Sequence, residues 1–199
     1  SFGASIVGGG PYADPDTPTV NVLWLGQGGI GLPDRDYYLN DSFKPQRDAY
    51  RAYIARTMKM IGNPDPEKAA DAVLAFETEI AKVSWAIAER RDLGKINNPM
   101  SSEALAAYAP GPAWGAWFAG ADIPAQKRII VNENTAIRDI AALYGKTPLD
   151  TLKLWQEFHV ADNAANYLSD DWVDSRFEFS KALSGVTEMR PRWKRGQIG

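Results

Sequence analysis

The chain has no cysteine and a single histidine, His159, among its 199 residues. The first absence excludes disulfides, thiolate nucleophiles and Cys-ligated zinc, and the second excludes any site built on two imidazoles. No apolar run approaches the ~20 residues of a membrane-spanning helix, and the N-terminus lacks the charged and apolar regions of a signal peptide. Lys+Arg 22 against Asp+Glu 25 leave a net charge of -3. Neither nucleic acid nor a membrane is therefore expected as a partner. What the chain has in quantity is aromatic surface, with 7 Trp, 8 Tyr and 7 Phe in a composition that is 45% hydrophobic. That is enough for a core of one or two domains without covalent staples. The start at Ser1-Phe2-Gly3, without an initiator Met, suggests a processed or excised piece of a longer protein.

The pattern along the chain predicts a mainly α fold, a multi-helix domain with two or three short extended segments. Residues 1–19 are rich in Gly, Pro and Asp and read as an irregular or extended lead-in, with a strand over Val20 to Leu25. From Gln46, apolar residues recur at helical spacing through Ile61, and Gly62 stands where a left-handed cap ends a helix. Asp65-Pro66-Glu67 opens a second helix whose stripe reads Ala69, Val73, Phe76, Ile80, Val83 and Ile87. A Ser101-capped helix to Tyr108, a short one over Trp114 to Ala119, a strand at Arg128 to Val131 and a helix over Thr135 to Tyr144 follow. Thr147-Pro148-Leu149-Asp150 supplies a hydroxyl cap to a long helix with a Leu154, Phe158, Ala161, Ala165, Leu168 stripe, and a last helix spans Val173 to Leu183.

The motifs reduce to structural readings. Gly26-Gln27-Gly28-Gly29-Ile30-Gly31 satisfies G-x-G-x-x-G after a strand, but Pro33 would fall inside the helix that must receive the pyrophosphate, and the second strand is missing. His159, without a His or Cys companion, reads as a packed or partly exposed structural residue rather than a base or metal ligand. Glu77 and Glu79 diverge on their helix, and Asp34/Asp36 and Asp170-Asp171 read as turn and solvated ends. Asn40-Asp41-Ser42 is a glycosylation sequon frequent by chance. The basic run Arg190 to Arg195, interrupted by Trp193, reads as a linker at a domain edge, with 190–199 leading toward a further domain.

The segment Gln27 to Leu39, containing Gly31-Leu32-Pro33-Asp34-Arg35-Asp36-Tyr37-Tyr38, closely resembles a landmark of the neprilysin family of zinc metalloendopeptidases. Phe76 to Ala81, Glu89 to Asp92 with Asn97 to Met100, Ile129 to Val131, and Phe177 through Gly185 to Arg195 resemble later landmarks in the same order. The resemblance implies the helical, non-catalytic N-terminal region of such an enzyme, one that covers the catalytic half and restricts access to peptides. It implies zinc in the parent enzyme, held by an H-E-x-x-H region that this chain does not contain. No catalytic, cofactor-binding or metal-ligating residue is therefore assigned here. The expected partners are the C-terminal catalytic region of the same polypeptide and, for the parent, peptide substrates. A bacterial, periplasmic parent is expected. The alternative is a free-standing helical interaction domain without activity. A covering piece should leave at least one of Trp114, Trp117 and Trp193 substantially exposed.

Overall fold

The computed structural model describes residues 5–184. Nine α-helices and four strands are found among them, so the chain is mainly α. The strands are β1 (Val7–Ala13), β2 (Asn21–Gln27), β3 (Asn98–Met100) and β4 (Ile129–Val131). The helices are α1 (Asp36–Leu39), α2 (Lys44–Met60), α3 (Pro66–Val83), α4 (Ile87–Arg90), α5 (Ser102–Tyr108), α6 (Trp114–Gly120), α7 (Asn134–Lys146), α8 (Leu149–Ala164) and α9 (Asp170–Ser184).

The strands form one sheet in the order β1-β2-β4-β3. β2 and β4 pair in parallel, Leu23 opposite Ile129 and Leu25 opposite Val131, while β1 and β3 lie antiparallel on either side. Leu25 and all three residues of β4 are fully buried, as a central parallel pair covered by helices requires. α2 and α3 pack together, with α8 against α3 and α9 against α2. Tyr50 and Tyr53 of α2, Phe158 of α8 and Phe179 of α9 meet between them, the Tyr53 and Phe179 rings stacked with centroids 5.0 Å apart.

Several expectations are met locally. Asp65 caps α3 by accepting from the Lys68 N–H with Pro66 in the first turn, Ser101 caps α5 from the Ala104 N–H, and Gly62 has φ +84°.

Four expectations are corrected. The lead-in is not irregular throughout: Val7 to Ala13 is a strand, held by its ladder to β2 rather than by propensity. Its glycines serve close approach, since a Cβ on Gly9 would stand 2.0 Å from the Trp24 carbonyl oxygen. α3 stops at Val83, because the Ser84 backbone turns extended and its carbonyl accepts from Arg35, so Ile87 leaves the stripe and is exposed in α4. Thr147 does not cap α8: its hydroxyl donates to the Leu143 carbonyl and closes α7 instead. In α8 the inward residues are Trp155, Phe158 and, just beyond, Ala165, whereas Leu168 is exposed, because the chain tightens into a 3₁₀ turn at Ala165–Tyr167.

α6 ends in a Schellman motif, with Ile123 N–H donating to the Phe118 carbonyl and Asp122 N–H to the Ala119 carbonyl. The left-handed position is filled by Asp122, φ 56°, where glycine is favoured. Asp122→Gly should stabilise the chain by roughly 0.5–1 kcal/mol by removing the Cβ clash of that conformation. Urea denaturation would show it as a higher midpoint at unchanged slope, and an unchanged or lower midpoint would contradict the account.

Candidate functional site

The most concentrated polar constellation lies inside the helical layer, around Glu77 of α3, which is fully buried. A carboxyl in that position is tolerated only when its oxygens are filled by donors. Oε1 accepts from the Gly31 N–H at 2.8 Å, the Tyr38 hydroxyl at 2.7 Å and the Tyr50 hydroxyl at 2.8 Å. Oε2 lies 2.8 Å from His159 Nε2 and 3.1 Å from the Tyr50 hydroxyl. The Tyr38 oxygen in turn accepts the N–H groups of Gly31 and Leu32, both at 3.0 Å. Burial, and then the Glu77 charge, push both the Tyr38 and Tyr50 phenols well above the ordinary tyrosine range, so both remain hydroxyl donors.

This arrangement explains the glycine-rich segment. No helix begins within it, the next being α1 at Asp36, and its amides are taken up within the chain, Gln27 N–H by Glu133, Gly28 N–H by the Ile6 carbonyl and Gly31 N–H by Glu77. Gly29 has φ +87°, and a Cβ on Gly31 would meet the Tyr50 hydroxyl at 2.1 Å. The remaining residues of the stretch bind outward. Arg35 reaches the Ser84 carbonyl at 2.8 Å, Asp34 accepts the Asp36 N–H, and the Gln27 side chain makes a reciprocal pair with the Trp85 backbone.

Two further buried carboxyls hold the sheet. Glu133 accepts the Gln27 N–H at 3.0 Å and the Arg90 guanidinium at 2.8 Å. Asp14 accepts from Arg128 at 2.7 Å, and that hydrogen bond holds its carboxyl below the usual carboxylate range.

His159 is thus packed, as the sequence suggests, with Nε2 engaged by Glu77 and its ring against Trp155 and Phe158. Glu77 and Glu79 diverge, the latter pairing with Lys82 at the surface. Asp170 and Asp171 stand in the first turn of α9, and Asn40 caps a 3₁₀ turn by accepting the Ser42 N–H. Trp114 is buried and Trp117 partly buried, while Trp193 and the Arg190 to Arg195 run lie outside the described residues.

Sequence reading places Glu77 on its helix but not at the centre of the fold. The signal is there, since Glu77 follows Val73 by four residues and precedes Ile80 by three, and so shares the buried stripe. Glu133 carries no such signal, because Gln27 and Arg90 lie 106 and 43 residues away in sequence. Among the described residues, no three His, Cys, Asp or Glu side chains are grouped to hold a metal ion.

These contacts define a mainly helical unit fastened by buried carboxyls, its distinctive loop serving the fold. The N-terminal model of peptidase family M13 matches residues 1–197, and the chain belongs to that family as its N-terminal region. It is 26% identical over 191 residues to endothelin-converting enzyme 1 of Rattus norvegicus, covering 92% of this chain and 25% of that protein. It is 30% identical over 201 residues to neprilysin-11 of Caenorhabditis elegans, covering 92% and 24%. The open-state structure of the Mycobacterium tuberculosis zinc metalloprotease Zmp1 superposes with TM-score 0.92 at 28% identity, over 98% of this chain and 31% of that one. The chain therefore spans about a quarter of the length of the curated relatives it matches.

Glu77→Ala leaves two phenols and an imidazole without their carboxyl partner, and the Gly31 N–H with the Tyr38 oxygen alone, and should cost about 3 kcal/mol or more. Because both phenols titrate above their unfolded value of about 10, their stabilisation is present below pH 10 and is lost as pH rises beyond it. The melting temperature should fall above pH 10, and less steeply in Tyr50→Phe. A flat profile, or an Ala variant as stable as the parent, would contradict the assignment.

Proposed function

We propose that the chain is the covering region of a longer zinc metalloendopeptidase, enclosing the cavity in which peptides are cleaved and limiting entry by size. The observation that carries this reading is the superposition of 98% of the chain on less than a third of a zinc metalloprotease in its open state. Its own donor set does not fit a zinc site: its one imidazole is spent on Glu77, and there is no thiolate. The residues described above act by holding a rigid wall, so selectivity is steric and no residue of this chain is assigned a chemical step. Bonds from Glu77, Glu133 and Asp14 that join segments distant in sequence suit that task, since a wall that yielded would admit larger substrates.

The test uses the product of the complete parent gene, whose coding sequence should contain H-E-x-x-H downstream of the codon for Gly199. That product should bind one zinc and cleave a bond in a peptide of about ten residues at least roughly tenfold faster than the same bond displayed in a folded protein. The 199-residue chain alone should cleave neither substrate and show no stoichiometric zinc by calorimetry. A stop codon after Gly199 would favour a free-standing interaction domain. A tight zinc site on the chain itself, lost in His159→Gln, would overturn the reading.

A further inference from the structure

α5, α6 and the segment 121–126 enclose an open groove of about 690 Å³ that the fold itself leaves unfilled. Its floor is apolar, with Trp114 and Phe118 buried beneath it and Ile123 beside them. The Trp114 indole N–H already donates to the Ala109 carbonyl at 2.7 Å, so the floor presents ring surface rather than a donor. Two carboxyls, Glu103 and Asp122, stand exposed on the rim, and among the described residues no Lys, Arg or His lines the groove. The walls are fixed before anything binds: Ser102 N–H donates to the Gln126 carbonyl at 2.9 Å, Gln126 N–H donates to the Ser102 hydroxyl at 2.7 Å, and the Schellman bonds set Asp122 and Ile123. A Cβ on exposed Gly115 would meet nothing within 4 Å, so the groove is open along that side of α6.

We propose that this groove binds an extended peptide segment carrying an apolar side chain next to a lysine or arginine. The volume falls within the range of preformed ligand sites. The apolar floor gives the occupant its buried anchor, and the two rim carboxyls, with no cation beside them in the groove among the described residues, select a basic neighbour. Gly115 leaves room for a polypeptide backbone to lie close to the helix. The inference does not depend on the covering role, since it concerns binding by the chain alone, without hydrolysis.

The test is fluorescence anisotropy of the 199-residue chain with the fluorescein-labelled amide Gly-Arg-Leu-Phe-Arg-Gly and its charge-reversed counterpart Gly-Glu-Leu-Phe-Glu-Gly. The basic peptide should bind saturably with a Kd of roughly 100 µM, and the acidic one at least about tenfold more weakly. Glu103→Gln combined with Asp122→Asn should weaken the basic peptide about three- to tenfold and flatten its salt dependence. Gly115→Leu places its side chain in the empty groove, so it should abolish binding while leaving the melting temperature unchanged or higher. Equal binding of both peptides, no binding of the basic one, or full affinity in a folded Gly115→Leu variant would overturn the proposal. So would a dimer that Gly115→Leu converts to monomer, which would assign the groove to a second copy.

Discussion

A carboxyl group placed at the centre of a helical layer sets the terms for much of this structure. Glu77 is fully buried, and water cannot solvate it there, so every neighbour must supply a donor. The donors come from separate parts of the chain: the loop at Gly31, α1 through Tyr38, α2 through Tyr50 and α8 through His159. Each is tied to α3, and their relative placement is fixed by distances of 2.7–2.8 Å to two oxygens. Hydrophobic packing around it, dominated by Tyr50, Tyr53, Phe158 and Phe179, supplies the larger share of stabilisation but does not by itself choose one register.

The same device recurs at the sheet. Glu133 draws together the end of β2, α4 and the start of α7, and Arg128 ties Asp14 after β1 to the start of β4. These bonds span more than forty and up to more than a hundred residues of sequence, so they resist separation of the layers rather than local fraying. That is the mechanical property the proposed covering role requires. The segment Gln27 to Leu39 joins this framework, its polar atoms binding Glu77, Glu133, Ser84 and Trp85 of the same chain.

Most helices were legible because their stripes, caps and prolines are local signals. Asp65-Pro66, Ser101 and Gly62 each mark a boundary through their own backbone chemistry. β1 was not legible, since Gly-Gly-Gly-Pro has no strand propensity and becomes a strand only through pairing with β2. The Thr147 cap misread a hydroxyl that can serve either neighbouring helix, and here it donates backward. The packing of His159 was legible from its apolar flank beside Trp155 and Phe158, but its partner was not, because charged residues on a stripe are ordinarily assigned to the solvent side. The role of the glycines was half legible: the dinucleotide reading fails on Pro33 and the missing second strand, whereas the reason for Gly31, the Tyr50 hydroxyl, is visible only in three dimensions.

The central claim is that one buried carboxyl couples elements far apart in sequence, and a double-mutant cycle tests it most directly. Tyr38 of α1 and His159 of α8 bond to opposite oxygens of Glu77. Unfolding free energies of Tyr38→Phe, His159→Gln and the double variant should show a coupling of about 1 kcal/mol or more, and that coupling should collapse when the cycle is repeated on Glu77→Gln. Additivity within about 0.3 kcal/mol in the parent background, or an undiminished coupling without the carboxylate, would contradict the account.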